Sequence, residues 1–382
     1  MMQRVLMIAD ADAHWTKKYI ECLLLPQGYE VVLFPIWGYA GQYREFYEDS
    51  GVQVYQDTHV LPIVRHIPRL RMWARIRLNA RALQKLGPFQ IIHNHYLSQR
   101  DLAVGNVIRR RFPRAKWVCS FWGSDLLRST VKQRKQMKPY LRRCDAVTIH
   151  SPAQFELMQA YFGKAIRKKT ALVHFGQTTY DDIDRVHAVA DRAACKAHFG
   201  IDPSRKVVCV GYNASPAQNQ QQVLRTLAAL SEEALRDMTV LLQMTYGASD
   251  KAYIQEVEAA AAALPCETLM YTEFMDGTES AYLRLAADVF ILAIDTDSFS
   301  SSLREYLYTG AQTMIADWLT YPQLEELEIE TIPFSKYEQI PKLLEGLLNA
   351  PVSEAQMQRR AKLGEMFRWD AVSEGWLALY GE

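Results

Sequence analysis

The sequence predicts an α/β protein built from two doubly wound parallel-sheet domains, on three observations. Short apolar runs of about five residues alternate with helical patterns along the whole chain. At 382 residues the chain is too long for one ordinary core and suits two. A polar stretch from Asp184 to Pro203, carrying Gly200, separates two series of such units. The expected domains are 1–185 and 186–350, and a tail of amphipathic helices, 351–382, returns to the first domain.

In the first domain, strands are expected near 4–9, 30–34, 52–55, 89–94, 116–121, 145–150 and 170–174. In the second they fall near 206–211, 239–244, 267–271, 287–294, 312–316 and 330–334. Helical patterns fill the gaps, most clearly at 218–231, 250–264 and 336–349. Strands of this kind are apolar throughout because helices cover both faces of a parallel sheet. Two such domains facing each other would place a ligand at the carboxyl ends of both sheets.

Composition narrows the class. Nearly half the residues are apolar and the net charge is +1, as in a soluble globular chain. The six cysteines are scattered with no C-x-x-C pair, which favours buried thiols over disulfides or zinc ligands. The chain enters the strand Arg4 to Asp10 directly, without a signal-peptide pattern, so a cytoplasmic location is expected. The charge is uneven: 29 Lys and Arg against 15 Asp and Glu up to residue 185, then 15 against 28. Its densest basic stretch runs from Arg65 to Lys85 and includes Arg69, Arg71, Arg75 and Arg77, with Leu70, Met72, Trp73 and Ile76 between them. A basic helix carrying Trp and Leu suits an anionic membrane surface, which would make the protein peripheral at the inner face of the membrane. A solvated helix face is the other reading of that stretch. No nucleic-acid module accompanies the charge, so no nucleic-acid partner is expected.

The residues after the strands carry the chemistry. The run Val289 to Ile294 leads into Asp295-Thr296-Asp297-Ser298-Phe299-Ser300-Ser301-Ser302, and a helix follows through Glu305 to Tyr308. A Ser-rich turn opening a helix offers unpaired N–H groups and a favourable dipole to a phosphate. It is also a common helix cap. Asp297 and Glu305 stand on either side of that cradle. Asp295 and Asp297 together also have the form of a metal-holding Asp-x-Asp pair. Their position late in the chain, with no other acidic cluster spaced to share an ion, argues for no metal.

The pair Asp297 and Glu305 resembles the paired acidic residues of the GT-B glycosyltransferases, with Asp in the first position where many members have Glu. His93-Asn94-His95 and Trp122-Gly123-Ser124-Asp125 resemble motifs of family-4-type members. Val210 to Ser215, Met244 to Ala248 and Tyr271 to Met275 resemble glycosyltransferase family 56, which moves 4-acetamido-4,6-dideoxygalactose from a dTDP donor to a polyprenyl-diphosphate-linked acceptor. The resemblance implies a GT-B fold and metal-independent sugar transfer, with a nucleotide-diphosphate sugar as co-substrate and no other cofactor. It also implies a cell-envelope glycan or lipid-linked acceptor.

The site residues follow from it. Tyr212, Asn213, Tyr246, Phe274, Ser300, Ser301, Ser302 and Glu305 would hold the donor, with Glu305 on the ribose and Asp297 on the sugar. Asp125 and His95 would line the cleft, and Asp12 or His14 would act as base for the acceptor hydroxyl. One departure stands out: family-4 members place an Arg and a Lys after the first strand of this domain, where this chain has Tyr212 and Asn213. Three other readings share the layout: a nucleotide-sugar epimerase, a small-ligand binding protein, and a glycosyltransferase-like scaffold without activity.

Overall fold

The structure is a computed structural model describing residues 3–36, 38–55 and 68–381; the side chains at 68–73, 75, 99–101, 103 and 153 are not among those described. It divides into two compact units, residues 1–176 with 369–382, and residues 177–368. The first holds a seven-stranded sheet in the order β3-β2-β1-β4-β5-β6-β7. Its strands are β1 (Arg4–Ile8), β2 (Glu30–Phe34), β3 (Gln53–Val54), β4 (Ile91–His95), β5 (Lys116–Ser120), β6 (Ala146–Ile149) and β7 (Thr170–Leu172). The second holds a six-stranded sheet in the order β10-β9-β8-β11-β12-β13. These are β8 (Lys206–Val210), β9 (Met238–Gln243), β10 (Glu267–Tyr271), β11 (Val289–Leu292), β12 (Gln312–Ala316) and β13 (Ile332–Phe334). Every pairing is parallel. All thirteen strands fall where the apolar runs predicted them.

Both sheets are doubly wound, and each reverses direction once, between β1 and β4 and between β8 and β11. At such a switch point the flanking loops diverge and leave a crevice at the carboxyl ends of the strands. The strands are buried on both faces: Val5 to Ile8 and Val289 to Leu292 are all 0% exposed.

Two boundaries differ from expectation. The stretch 184–203 is no linker: it is largely helical, in Thr179–His187 and Arg192–His198. Tyr180, Ile183, Val186 and Cys195 are buried, and the last three share a small core with Ala281, Leu285 and Ala286 of the Gly277–Ala286 helix. Polar and alanine positions on the outer faces concealed that inner stripe. In the tail, the Glu354–Phe367 helix stays with the second unit. Only the Trp369–Tyr380 helix joins the first, where Trp376 and Tyr380 enter the core beside Tyr19.

The basic segment is helical over Pro68–Leu86. Arg65 lies outside the described residues, as do the side chains of Arg69, Arg71, Trp73 and Arg75, while Arg77 is exposed. Ile76, expected at a membrane surface, is instead 9% exposed and packs in the core with Ala80 and Leu83. Its spacing of four and seven residues from those two places all three on the inner face of the helix. No described helix is long and apolar enough to cross a membrane.

Candidate functional site

In the second unit, the switch point between β8 and β11 gathers the expected residues. β8 is followed by Gly211, whose φ of 65° and close approach to Gln218 and Gln220 leave no room for a side chain. Tyr212 follows and is 8% exposed. Its hydroxyl donates to Asp297 Oδ1 at 3.2 Å, and the Tyr321 hydroxyl donates to Oδ2 at 2.9 Å. Burial first, then the Asp297 charge, pushes both phenols well above their ordinary range, so both keep the protons they donate. Asp297 also accepts the Ser300 N–H at 2.8 Å, which sets a negative charge beside the start of the Ser301–Tyr308 helix.

The turn into that helix is strained. Phe299 has a φ of 67° while its ring is buried at 4% exposure, an uncommon conformation for a bulky residue. It leads into Ser300, whose hydroxyl caps the helix by accepting the Leu303 N–H. Ser301 is exposed and Ser302 is 7% exposed. Asn213 folds its side chain onto the loop, accepting the Ser215 N–H at 2.9 Å. Tyr246 and Phe274 stand out from the same end of the sheet at 53% and 60% exposure.

Glu305 is nearly enclosed, at 5% exposure. Its Oε1 accepts from Gln177 Nε2 at 2.9 Å, and its Oε2 from Arg284 Nε at 3.0 Å. Arg284 was not anticipated from the sequence, where it reads as one polar position in a helix. It is 3% exposed, and its guanidinium also donates to Gln243, Tyr306 and Ser302. A second buried cation, Arg304, is 6% exposed. It donates to the Ser300 carbonyl at 3.4 Å and the Ser301 hydroxyl at 3.3 Å, lies 3.8 Å from the centre of the Phe367 ring, and is within electrostatic reach of Glu305 and Asp297 without a hydrogen bond to either among the described residues. Burial lowers its pKa. Two buried arginines thus stand on the helices Gly277–Ala286 and Ser301–Tyr308.

Asp295 and Asp297 have separate partners, since Asp295 accepts from Asn219 at 2.8 Å. Among the described residues, no group of three His, Cys, Asp or Glu is arranged to hold a metal ion.

The first unit fills its equivalent position with rings. His93, in the middle of β4, bonds through Nδ1 to the Tyr380 hydroxyl and through Nε2 to Ser120, both at 2.6 Å. Burial drives its pKa down to about 3. His95 is 1% exposed and stacks 3.9 Å from His93, with Tyr19, Trp15 and Trp122 around it. Neither of its ring nitrogens has a partner among the described residues. Burial, then His93 and His150, holds it well below the usual imidazole range. Asp125 is 7% exposed and accepts the N–H groups of Leu97 and Trp122; burial raises its pKa to about 6 against those bonds.

Asp12 has a task that the sequence did not indicate. Its carboxylate accepts the backbone N–H groups of Ala40, Gly41 and Gln42, fixing the loop after β2. His14, by contrast, is exposed at the start of the His14–Tyr19 helix.

Residues 22–176 match the family described as the glycosyl transferase 4-like domain. No curated protein matches the sequence. Solved structures match it end to end at low identity. The HepE protein of Anabaena, crystallised with UDP and glucose, is 13% identical with a TM-score of 0.72, and 98% of each chain is covered. A glycosyltransferase of Rickettsia africae is 12% identical with a TM-score of 0.76, covering 99% of this chain and 98% of that one. Sucrose-phosphate synthase of Thermosynechococcus elongatus is 14% identical with a TM-score of 0.73, again covering 99% and 98%. With the two parallel sheets, these similarities make the fold that of the GT-B glycosyltransferases.

Proposed function

We propose that the protein is a glycosyltransferase that takes a sugar from a nucleoside diphosphate donor bound by the second unit. The carrying observation is the start of the Ser301–Tyr308 helix, where Ser300 to Ser302, the Arg304 guanidinium and the Asp297 and Glu305 carboxylates converge. In this reading the diphosphate takes N–H groups of Ser301 and Ser302 together with Arg304, whose hydrogen bonds among the described residues go to a carbonyl and a hydroxyl and not to a carboxylate. Glu305 accepts a ribose hydroxyl, and Asp297 with Tyr212 and Tyr321 orients the sugar. The sugar–phosphate bond breaks through an oxocarbenium-like state, and fixed donors stabilise the charge gathering on the diphosphate. That UDP is bound by the similar HepE protein makes it the first donor nucleotide to try. The 4-like match of residues 22–176 favours the same reaction class. No divalent ion has a role in it.

On the acceptor side we assign the base to exposed His14, because Asp12 already holds three N–H groups. His95, neither of whose nitrogens has a partner among the described residues, is assigned to ligand contact. The acceptor is a lipid-linked or cell-envelope glycan, reached through the basic Pro68–Leu86 helix at the inner face of the membrane. The family-56-like stretches favour an acetamidodeoxyhexose as the transferred sugar.

Titration calorimetry tests the donor assignment. Wild type should bind a nucleoside diphosphate without added metal and in EDTA, and Arg304→Ala should bind it at least ten-fold more weakly. Failure of wild type to bind UDP, dTDP, GDP or ADP overturns the proposal.

A further inference from the structure

The donor-site reading leaves Arg284 without a part, yet its guanidinium is the most highly connected polar group near the helix start. It touches three positions on one face of Ser301–Tyr308: Ser302 Oγ at 3.2 Å, Glu305 Oε2 at 3.0 Å and the Tyr306 hydroxyl at 2.9 Å. Residues three and four apart share a helix face, so one planar fork can span all three. A fourth bond, to Gln243 Oε1 at 2.8 Å, ties the same group to the carboxyl end of β9, three residues before Tyr246 of the expected donor site. The guanidinium also lies 4.3 Å from the centre of the Tyr306 ring, which itself stacks on Phe290 of β11.

The direction of these bonds has a chemical consequence. Ser302 accepts from Arg284, so its own hydroxyl proton is turned away and left to donate to an oxygen at the helix start. Glu305 receives N–H groups on both oxygens, which fixes its plane and leaves its remaining lone pairs for a hydroxyl. The ion pair is almost fully buried, with side-chain exposures of 3% and 6%. A buried pair is weak evidence for stability in itself, because desolvation offsets much of the attraction. Its bonds to Ser302 and Gln243 suit orientation of the site better than stability.

We propose, resting on the donor-site reading, that Arg284 is the positioning residue for the nucleoside diphosphate, presenting Ser302 as a hydrogen-bond donor and Glu305 as an acceptor. Removing Arg284 alone would strand a buried carboxylate and confuse binding with unfolding, so the test uses a Glu305→Gln background. UDP affinity by calorimetry and the melting temperature are measured for Glu305→Gln and for Arg284→Met/Glu305→Gln. Both are then repeated with Ser302→Ala added. The Arg284 substitution should leave the melting temperature of Glu305→Gln unchanged or higher, because it removes an unpaired buried cation. It should weaken UDP about ten-fold when Ser302 is present and hardly at all when Ser302 is alanine. Equal weakening in both backgrounds, or none in either, overturns the positioning role while the donor site stands. Absence of UDP binding in wild type, with dTDP, GDP and ADP also silent, overturns both.

Discussion

The same place in the two sheets is filled by opposite chemistries. At the switch point of the first, β4 carries His93 and His95, enclosed by Tyr19, Trp15, Trp122 and Trp376, with burial keeping both imidazoles uncharged. At the switch point of the second, charges are kept and matched, buried Arg284 with buried Glu305, and half-buried Asp297 with two phenols and a backbone N–H. A ring cluster gives shape and apolar surface, and a charged network gives direction. Within the proposed function the first suits a sugar acceptor and the second a diphosphate. The fold supplies the position, and the side chains decide what can be bound there.

The sharpest break in this comparison is expected from Trp376→Ala. Trp376 is 0% exposed, donates to the His174 carbonyl at 2.9 Å and meets Tyr19 edge to face at 5.1 Å. The cavity should cost about 3–5 kcal/mol, and only in the first unit. Calorimetric unfolding should then show one transition moving down while the other holds. A common shift of both would mean that the units do not melt separately.

A smaller effect concerns pH. Asp125 is raised to about 6 from its ordinary 3.8, so between those values the folded state holds more protons than the unfolded state, and stability declines as pH rises through the window. His93 is lowered to about 3 from 6.5, so the unfolded state takes up the proton there, and stability is lost as pH falls below 6.5. Near pH 4 to 6 the two slopes oppose each other. Asp125→Asn removes the first, and the acid sensitivity of the first unit should steepen by roughly 1–3 kcal/mol across the window. Denaturant titrations from pH 4 to 7 would show it; parallel profiles for wild type and variant would reject it.

The smallest effect is expected at the support for Arg284. Asp276 caps the Gly277–Ala286 helix by accepting the Glu279 N–H at 2.9 Å. Asp276→Ala should lower the stability of the second unit by about 1 kcal/mol and leave nucleotide affinity within two-fold. A larger loss of affinity would show that the whole helix, and not the single guanidinium, sets the site.

The strands were readable because a parallel sheet buried on both faces writes itself as uninterrupted apolar runs. The helix cap at Ser300 was readable because capping chemistry is local. Partners distant in sequence were not. Nothing near Arg284 announces Glu305 twenty-one residues on, and nothing near Asp12 announces the three N–H groups at 40–42. Asp12 and His14 look equally fit as bases in the sequence, and only the hydrogen bonds separate them. The helices at 179–198 were hidden for another reason: each is short, and its buried stripe is only two or three residues wide among polar and alanine positions.

The first unit is made from two separated pieces of chain, with all of the second unit between them. During synthesis the ribosome therefore finishes the second unit while the first still lacks Trp369–Tyr380. Until that segment emerges, His93 and Tyr19 have no Tyr380 hydroxyl to bond, and the rings around them lie open where Trp376 will close the core. The unit that begins first is completed last. A nascent chain stalled short of residue 369 should present a folded second unit beside a sticky, half-built neighbour, the kind of intermediate on which chaperones act.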